Sequence, residues 1–231
     1  MPKVCFRRVT TLTKDGGYDL KPETDSAEPS QSELPQGNEP VTLDPAQFTT
    51  EIDNPYWPMK PGTRWTYRET DAEGKVQQVV VVVTHQTKKI ANGITARVVR
   101  DTVTEGGKIT TKDGSFEAGV DGALPGINIP GDPEPGMEYR QEYYKGQAED
   151  NGAVLSTNVM AEVPYGKFKD VLLTKDTITL EPDVLEYKLY AKGVGPVLIL
   201  GVSGGAGREE PITMDQAPRS AGTGPLGNPN P

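Results

Sequence analysis

Apolar side chains recur at every second position along much of the chain, which is the spacing of a strand with one buried face. Trp65 and Tyr67 alternate with polar residues, and after the turn DAEGK the run 76–84 supplies a second strand. The Asn-Gly pair in ANG (91–93) favours the left-handed dihedrals of a tight turn, and a third strand is predicted over 94–104. No stretch of the sequence has the apolar spacing of a long amphipathic helix. The pattern therefore predicts β-hairpins.

Strand-like runs continue through the middle of the chain. They lie at 108–111, 137–145, 155–163, 168–176, 184–191 and 194–202. With the first three runs they indicate about eight or nine strands joined by turns, which is typical of an antiparallel all-β domain. We predict an all-β fold, either an antiparallel curved sheet or a partly open barrel.

The two ends of the chain lack this pattern. Residues 1–41 are polar, acidic and dotted with proline, and residues 211–231 are rich in glycine and proline. Such segments bury too little apolar surface to offset the entropy lost on ordering. The sequence therefore predicts an antiparallel β domain over 42–210 between two disordered tails. Inside the domain, residues 112–136 are predicted to form a long loop.

Composition excludes several classes of function. The net charge of −9 argues against binding nucleic acid or an anionic membrane, because both need a clustered positive field. One cysteine, Cys5, and one histidine, His85, leave no set of ligands for a zinc site. No apolar run is long enough for a transmembrane helix. We expect no metal site, no cofactor and no transmembrane segment.

The first ten residues, MPKVCFRRVT, have basic side chains but no apolar core, so no signal peptide is predicted in this chain. Cys5 is not preceded by the apolar segment that a lipoprotein signal needs, so its lipidation is not expected.

No catalytic residue is predicted. The stretch GVSGG (201–205) lacks the spacing of a nucleophile elbow, and GVGP (193–196) and GGAG (204–207) lack the spacing of a phosphate-binding loop. Glu142 and Glu186 fall in predicted strands and are the candidate acid and base of a glycoside hydrolase. Nothing in the sequence itself brings these two carboxylates together.

The aromatic residues are the best candidates for a binding site. The predicted ligand-binding residues are five aromatic residues in predicted strands, Trp65, Tyr67, Tyr139, Tyr143 and Tyr187. On the concave face of a curved sheet they would line a site for an apolar ligand. The alternative is that they fill the core, because aromatic residues favour strands in any case.

Two motifs carry a resemblance to a known group of proteins. The stretch NPYWPMKPGTRWTY (54–67) has the form N-P-Y-W-P-x-x-P-G-x-x-W-x-Y, and YAKGVG (190–195) has the form Y-A-x-G-V-G. With these motifs, most of the region 47–210 resembles an uncharacterised family of secreted or lipid-anchored bacterial β-rich proteins. The resemblance implies an open half-barrel and an extracytoplasmic location, secreted or envelope-associated. It implies no activity, cofactor or catalytic residue.

The chain departs from that family at two places. Members of the family begin with a signal sequence, where this chain has MPKVCFRRVT. Members also carry an aromatic-rich stretch between the EGGK turn and the GSFEAG segment, where this chain has only ITTKD (109–113). We therefore expect about one hairpin of the family's sheet to be missing.

Three functions stay open at this point. The first is a non-catalytic extracytoplasmic binding or carrier domain that holds an apolar or amphipathic ligand on the concave sheet face. The second is a structural or protein-interaction domain at the cell envelope, which would expose an apolar patch or an edge strand. The third is a hydrolase that uses paired carboxylates. A non-enzymatic role is favoured, and the partner is expected to be an apolar small molecule or an envelope protein.

Overall fold

A computed structural model describes residues 34–110 and 116–222 of the 231-residue chain. They form ten strands and two single-turn 3₁₀ segments, Pro45–Gln47 and Ala91–Gly93. The strands are β1 (Thr63–Asp71), β2 (Val76–Lys89), β3 (Thr95–Glu105), β4 (Lys108–Thr110), β5 (Glu138–Tyr144), β6 (Ala148–Val163), β7 (Gly166–Ile178), β8 (Glu181–Ala191), β9 (Gly195–Ser203) and β10 (Gly207–Gln216). No α-helix occurs in the described ranges. The predicted all-β fold is confirmed.

All ten strands belong to one antiparallel sheet with the order β4-β3-β2-β1-β10-β9-β8-β7-β6-β5. The first and last strands are neighbours in its interior, where Trp65 of β1 lies opposite Met214 of β10. On one side of this junction β1–β4 form a meander, and on the other side β5–β10 form a second one. Among the described residues the edge strands β4 and β5 do not pair with each other. The sheet is therefore open, as predicted.

Local sequence sets the first turns as expected. In the β1–β2 turn, Oδ1 of Asp71 accepts hydrogen bonds from the backbone N–H groups of Glu73 (2.9 Å) and Lys75 (2.8 Å). In the ANG turn, Asn92 adopts φ = 57°, the left-handed conformation that asparagine tolerates better than most residues. Short polar side chains and glycines therefore fix the hairpins before any packing is considered.

Side-chain alternation gives the sheet an inner face, which carries Trp65 and Tyr139, and an outer face, which carries Arg68 and Tyr187. Two buried clusters cover the inner face. The cluster on β1–β3 contains Ile52, Met59, Trp65, Tyr67, Val79, Val81, Val83 and Val99, and the cluster on β5–β8 contains Tyr56, Ile129, Tyr139, Val154, Leu172 and Tyr190. Trp57 packs against both, with its ring 6.3 Å from Trp65 and 5.9 Å from Tyr190. The two halves of the sheet therefore share one continuous inner core.

Two segments without strands form the cover of this core. The lead-in before β1 contributes Tyr56 and Trp57, and the segment 116–137 contributes Ile129. Buried Asn54 joins the two segments: its Nδ2 donates to the carbonyl of Pro130 (3.0 Å), and its Oδ1 accepts from the N–H of Tyr56 (2.9 Å). The predicted long loop is thus an ordered cover for the inner face.

The outer edge of β5 forms backbone hydrogen bonds with the segment 116–137 and with Pro35. The N–H of Leu124 donates to the carbonyl of Tyr143 (2.8 Å), and the N–H of Ile127 donates to the carbonyl of Arg140 (2.9 Å). The N–H of Arg140 donates to the carbonyl of Pro35 (2.8 Å). Pairing of this kind protects an edge strand from association with other chains.

The side chain of Arg140 anchors residues that the sequence assigns to a disordered tail. It is fully buried, and burial lowers the pKa of its guanidinium. Its Nη1 donates to the carbonyls of Gly37 (2.7 Å) and Glu39 (2.8 Å), and its Nε donates to the carbonyl of Pro125 (3.0 Å). Residues 34–39 are therefore held against the domain, which begins before the predicted boundary at residue 42.

The predicted boundary at residue 210 is also too early. Strand β10 runs to Gln216 and pairs with β1 along its length. Its Pro211 pairs with Tyr67, directly beside the register shift between Thr66 and Tyr67, where the ladder is interrupted and a proline is tolerated. The glycine and proline content of residues 211–231 suggested a tail, because composition alone does not show that a proline lies beside a bulge in a strand. The predicted disorder of residues 1–33 and 223–231 lies outside the described residues.

The hairpin of β6 and β7 forms a third, smaller cluster. Its pairing contains several register shifts, and its distal half contributes Ala161, Val163 and Val171 to a cluster with Ala191 and Val197. Strand β6 thereby approaches β9, although β7 and β8 separate the two strands in the sheet. The hairpin therefore bends back toward the strands that follow it.

Candidate functional site

Three of the five predicted ligand-binding residues lie in the inner core. The exposed fraction is 0% for Trp65, 2% for Tyr67 and 1% for Tyr139. Nε1 of Trp65 donates to the carbonyl of Val194 (2.6 Å), which ties β1 to the turn between β8 and β9. These side chains therefore fill the core, which was the alternative interpretation of the aromatic pattern.

Close packing holds Tyr139 in place. A Cβ atom at Gly152, on the neighbouring strand β6, would lie 2.6 Å from the Tyr139 ring, well inside contact distance. Position 152 therefore needs glycine because the tyrosine ring occupies the space above it.

The other two predicted residues lie elsewhere. Tyr143 is partly buried on the edge strand β5, opposite Glu149, and Tyr187 is partly exposed on β8, opposite Leu200. The five aromatic side chains do not meet on one surface. Their role in binding a ligand stays a prediction.

The outer face of β7–β9 carries a group of partly exposed apolar side chains, which we call the outer apolar patch. Its members are Leu173, Leu185, Tyr187, Leu189, Leu198 and Leu200. Leu173 pairs with Leu189, which pairs with Leu198, and Tyr187 pairs with Leu200. Residues directly opposite each other on neighbouring strands share a face, with Cβ atoms about 5 Å apart. The patch is therefore continuous across three strands, and its members Leu189 and Leu198 also pack against the third cluster, at the distal half of the β6–β7 hairpin.

A charged triad lies beside this patch on β1 and β10. Arg68 donates from Nη2 to Oε1 of Glu210, and Arg208 donates from Nε to Oε2 of the same carboxylate (2.8 Å). The exposed fraction is 6% for the Glu210 side chain, 47% for Arg68 and 45% for Arg208. Burial alone would raise the pKa of Glu210, but hydrogen bonds from the two arginines outweigh it and hold that pKa below its usual value.

A depression of about 570 Å³ opens at this triad. It is lined by the triad itself and by Thr70, Asp71 and Val76 of the β1–β2 hairpin, together with the glycine-rich turn between β9 and β10. The depression is open to solvent and lies on the outer face, opposite the predicted binding face. It presents guanidinium groups beside apolar side chains.

The candidate hydrolase pair does not form a site. Glu142 lies on β5 and Glu186 on β8, with β6 and β7 between them. Three strand spacings amount to about 14 Å along the sheet, whereas glycosidase carboxylates lie roughly 5 to 9.5 Å apart. This arrangement gives no support to hydrolysis by that pair.

The inner face has a polar region next to its core. Lys188 forms an ion pair with Asp176 (2.6 Å), and Asp176 also accepts from Gln141 (3.0 Å) and Thr174 (3.0 Å). The Lys188 and Asp176 side chains are 12% and 7% exposed. These partners satisfy a buried charge pair, which explains how a lysine faces inward. In residues 34–110 and 116–222, no three His, Cys, Asp or Glu side chains form a group that could hold a metal ion.

The sequence did not reveal the charged triad or the outer apolar patch. The signal for the triad is the alternation in GREEPITMDQ, where Arg208 and Glu210 share one face of a strand. That signal is readable only once this stretch is known to pair with β1, because the pairing places Arg68 opposite Glu210.

No protein-family model matches the chain, and no curated protein matches it. One similar solved structure is a candidate exported protein with a YmcC-like fold from Bacteroides fragilis NCTC 9343, at 15% identity and a TM-score of 0.38 over 70% of this chain and 99% of that one. Another is a candidate lipoprotein from Parabacteroides distasonis ATCC 8503, at 12% identity and a TM-score of 0.38 over 69% of this chain and 98% of that one.

None of the helical segments in the described ranges is long and apolar enough to span a membrane.

Proposed function

We propose that this protein is a non-catalytic interaction domain at the cell envelope and that its outer apolar patch is the surface that contacts a partner protein. The observation that carries the proposal is the row of partly exposed leucine and tyrosine side chains on the outer face of β7–β9. The extracytoplasmic location is supported by the sequence resemblance alone.

The patch supports an interaction role because its position breaks the usual pattern of an antiparallel sheet. Such a sheet normally buries one apolar face and presents polar side chains to water on the other. Here the inner face is covered by the lead-in and by the segment 116–137, and the outer face is also apolar across three strands. Packing against the third cluster accounts for Leu189 and Leu198. Leu173, Leu185, Tyr187 and Leu200 are partly exposed beside them. Contiguous apolar surface of this kind is typical of protein contact sites.

A carrier function on the inner face has less support. A ligand there would have to displace Trp57 and Ile129, which pack against the inner core, and break the hydrogen bonds of Asn54. Each buried polar group left without a partner costs about 1–3 kcal/mol. The outer face requires no such rearrangement.

The test is site-specific photo-crosslinking in cells that express the full chain. The photoreactive residue p-benzoylphenylalanine replaces Tyr187 in the outer apolar patch and, as a matched control, replaces Tyr165 on the β6–β7 hairpin, where the side chain is 36% exposed. We expect a discrete protein adduct from position 187 that disappears when Leu200→Asp is added. Position 165 should not give the same adduct.

The same adduct from both positions, or one from position 187 that survives Leu200→Asp, would overturn the proposal. An adduct whose mass equals two copies of this chain would show that the patch contacts a second copy of the chain and not a partner protein. Circular dichroism and thermal unfolding of each variant establish that the sheet is intact.

A further inference from the structure

Cross-strand register places apolar and cationic side chains in one row on the outer face. Tyr187 pairs with Leu200, Leu200 with Arg208, and Arg208 with Thr70. Neighbours in such a row have Cβ atoms about 5 Å apart. Arg208 therefore stands one strand from Leu200 and two strands from Tyr187, or about 10 Å. The outer apolar patch and the charged triad are parts of one surface.

Glu210 holds the two arginines of this surface in fixed positions. Its buried carboxylate accepts from Nη2 of Arg68 and from Nε of Arg208. Among the described residues, Nη1 and Nη2 of Arg208 have no hydrogen-bond acceptor, and neither do Nε and Nη1 of Arg68. The pair Nη1 and Nη2 of Arg208 matches the two oxygens of a carboxylate. The triad thus presents guanidinium groups whose orientation is set in advance.

Local charge favours an anion here although the whole chain is acidic. The triad combines two guanidinium groups with one carboxylate, and Lys175, opposite Tyr187, adds a further exposed cation to the row. Asp71 also lines the depression, but its Oδ1 accepts from the backbone of the β1–β2 turn, which orients that carboxylate toward its own hairpin. The row is therefore cationic where the rest of the chain is mostly acidic.

We propose, on the basis of the interaction function above, that this row binds an extended acidic segment of a partner protein in which a carboxylate lies two residues from a leucine or an aromatic residue. The carboxylate pairs with Arg208 and Arg68, and the apolar side chain packs on Leu200 and Tyr187. Residues two apart in an extended chain have side chains on the same side, about 7 Å apart. This separation lies between the distances from Arg208 to Leu200 (about 5 Å) and from Arg208 to Tyr187 (about 10 Å).

Calorimetric titration of the full chain with synthetic peptides tests this recognition. The probe is an acetylated and amidated peptide, Asp-Leu-Ser-Asp-Tyr-Ser-Glu-Leu-Ser-Asp. One control peptide replaces every acid by its amide, and a second replaces Leu and Tyr by Ser. We expect the probe to bind and both control peptides to bind at least about tenfold more weakly, because each lacks one half of the recognition.

Variants of the chain locate the binding. Arg208→Gln should weaken binding of the probe at least about tenfold, and Arg208→Lys should restore only part of it, because lysine keeps the charge but lacks the planar fork. The matched control is Arg64→Gln, since Arg64 is also an outer-face arginine in an ion pair, with Asp215, but lies outside the row. Arg64→Gln should leave the affinity unchanged. Thermal unfolding confirms that each variant is folded.

The outcomes separate this inference from the proposed function. Equal binding of the acidic and amide peptides, or equal losses for Arg208→Gln and Arg64→Gln, overturns acidic recognition, while the crosslink from position 187 still supports an interaction domain. A third outcome concerns a full-length variant in which acidic residues of the N-terminal segment are changed to amides. If the probe peptide binds this variant and not the unchanged chain, the N-terminal segment itself occupies the row. That outcome overturns the proposal that a partner protein supplies the acidic segment. The residues changed in that full-length variant are Glu23, Asp25, Glu28 and Glu33.

Discussion

The two faces of the sheet use the same kinds of side chain for different purposes. Trp65 on the inner face is 0% exposed and is held by the carbonyl of Val194 and by the ring of Trp57. Tyr187 on the outer face is partly exposed and lies between leucines and a lysine. The difference shows that an aromatic residue in a strand acquires its role from the face it occupies, and that the inner face should govern stability while the outer face governs binding.

The largest expected effect comes from emptying the inner core. Trp65→Ala should lower the free energy of unfolding by about 3–5 kcal/mol, because it leaves a cavity at the junction of β1 with the β8–β9 turn. Urea unfolding followed by circular dichroism measures the loss. Tyr187→Ala is the matched control and should cost less than about 1 kcal/mol. Equal losses at the two positions would remove the distinction between the faces.

A somewhat smaller loss of stability is expected at Asn54, which joins the lead-in before β1 to the segment 116–137. Asn54→Ala removes the donor to the Pro130 carbonyl and the acceptor for the Tyr56 N–H, and should cost about 2–3 kcal/mol. Asn158→Ala, on the exposed part of the β6–β7 hairpin, should be nearly neutral. Hydrogen exchange of residues 116–137 distinguishes local release of the cover from global unfolding. Unchanged exchange in that segment would contradict the role assigned to Asn54.

Overpacking the inner face tests its density. Gly152→Ala places a Cβ atom against the Tyr139 ring and should cost about 1–3 kcal/mol. The control is Gly131→Ala, where a Cβ atom has open space around it. The midpoint of thermal unfolding should fall for the first variant and stay near that of the wild type for the second. If Gly152→Ala is silent, the inner face at β5 and β6 is looser than described.

The smallest effect is expected on the outer face and depends on pH. Because the pKa of Glu210 is lowered in the folded state, its stabilising effect is fully present above the unfolded pKa of about 4.3 and is lost as the pH falls through the folded value. Glu210→Gln should therefore flatten the acid limb of the stability profile by less than about 1 kcal/mol, since both arginines are half exposed to solvent. Urea unfolding over a pH series measures it.

Asp215 provides the comparison for that pH series. A hydrogen bond from Arg64 lowers the pKa of Asp215, but both side chains of this pair are exposed and water screens them. Asp215→Asn should change the acid limb less than Glu210→Gln does. The reverse order would mean that burial of Glu210 contributes nothing to the triad.

Most of the strand content could be predicted from the sequence, because alternation and turn residues are local signals. The DAEGK and ANG turns and the β1–β3 hairpins follow from them directly. Strand β10 could not be predicted, because its proline and the glycines before it resemble a tail and only the pairing with β1 shows otherwise. Likewise the contacts of residues 34–39 depend on Arg140, a residue about 100 positions further along the chain.

The sequence also did not show which face of the sheet each side chain of β8 occupies. In β8 the alternating residues Leu185, Tyr187 and Leu189 have the pattern of a buried face, yet the structure places them on the outer face and turns Lys188 inward to Asp176. The inward position of Lys188 is matched by its ion pair with Asp176 on the neighbouring strand β7. A single strand carries no information about such a partner. For the same reason the sequence did not show that Tyr187 faces away from Trp65 and Tyr139.

The junction of β1 with β10 has a consequence for how the chain reaches its native state. Arg64 and Asp215, which pair across it, are 151 residues apart, so the contact that unites the two meanders is also among the least local in the molecule. Closing so large a loop is entropically costly and slows folding. Until β10 pairs with β1, β1 is an unpaired edge strand, although it lies in the interior of the finished sheet. A chain synthesised from its N-terminus cannot pair these strands before β10 is available.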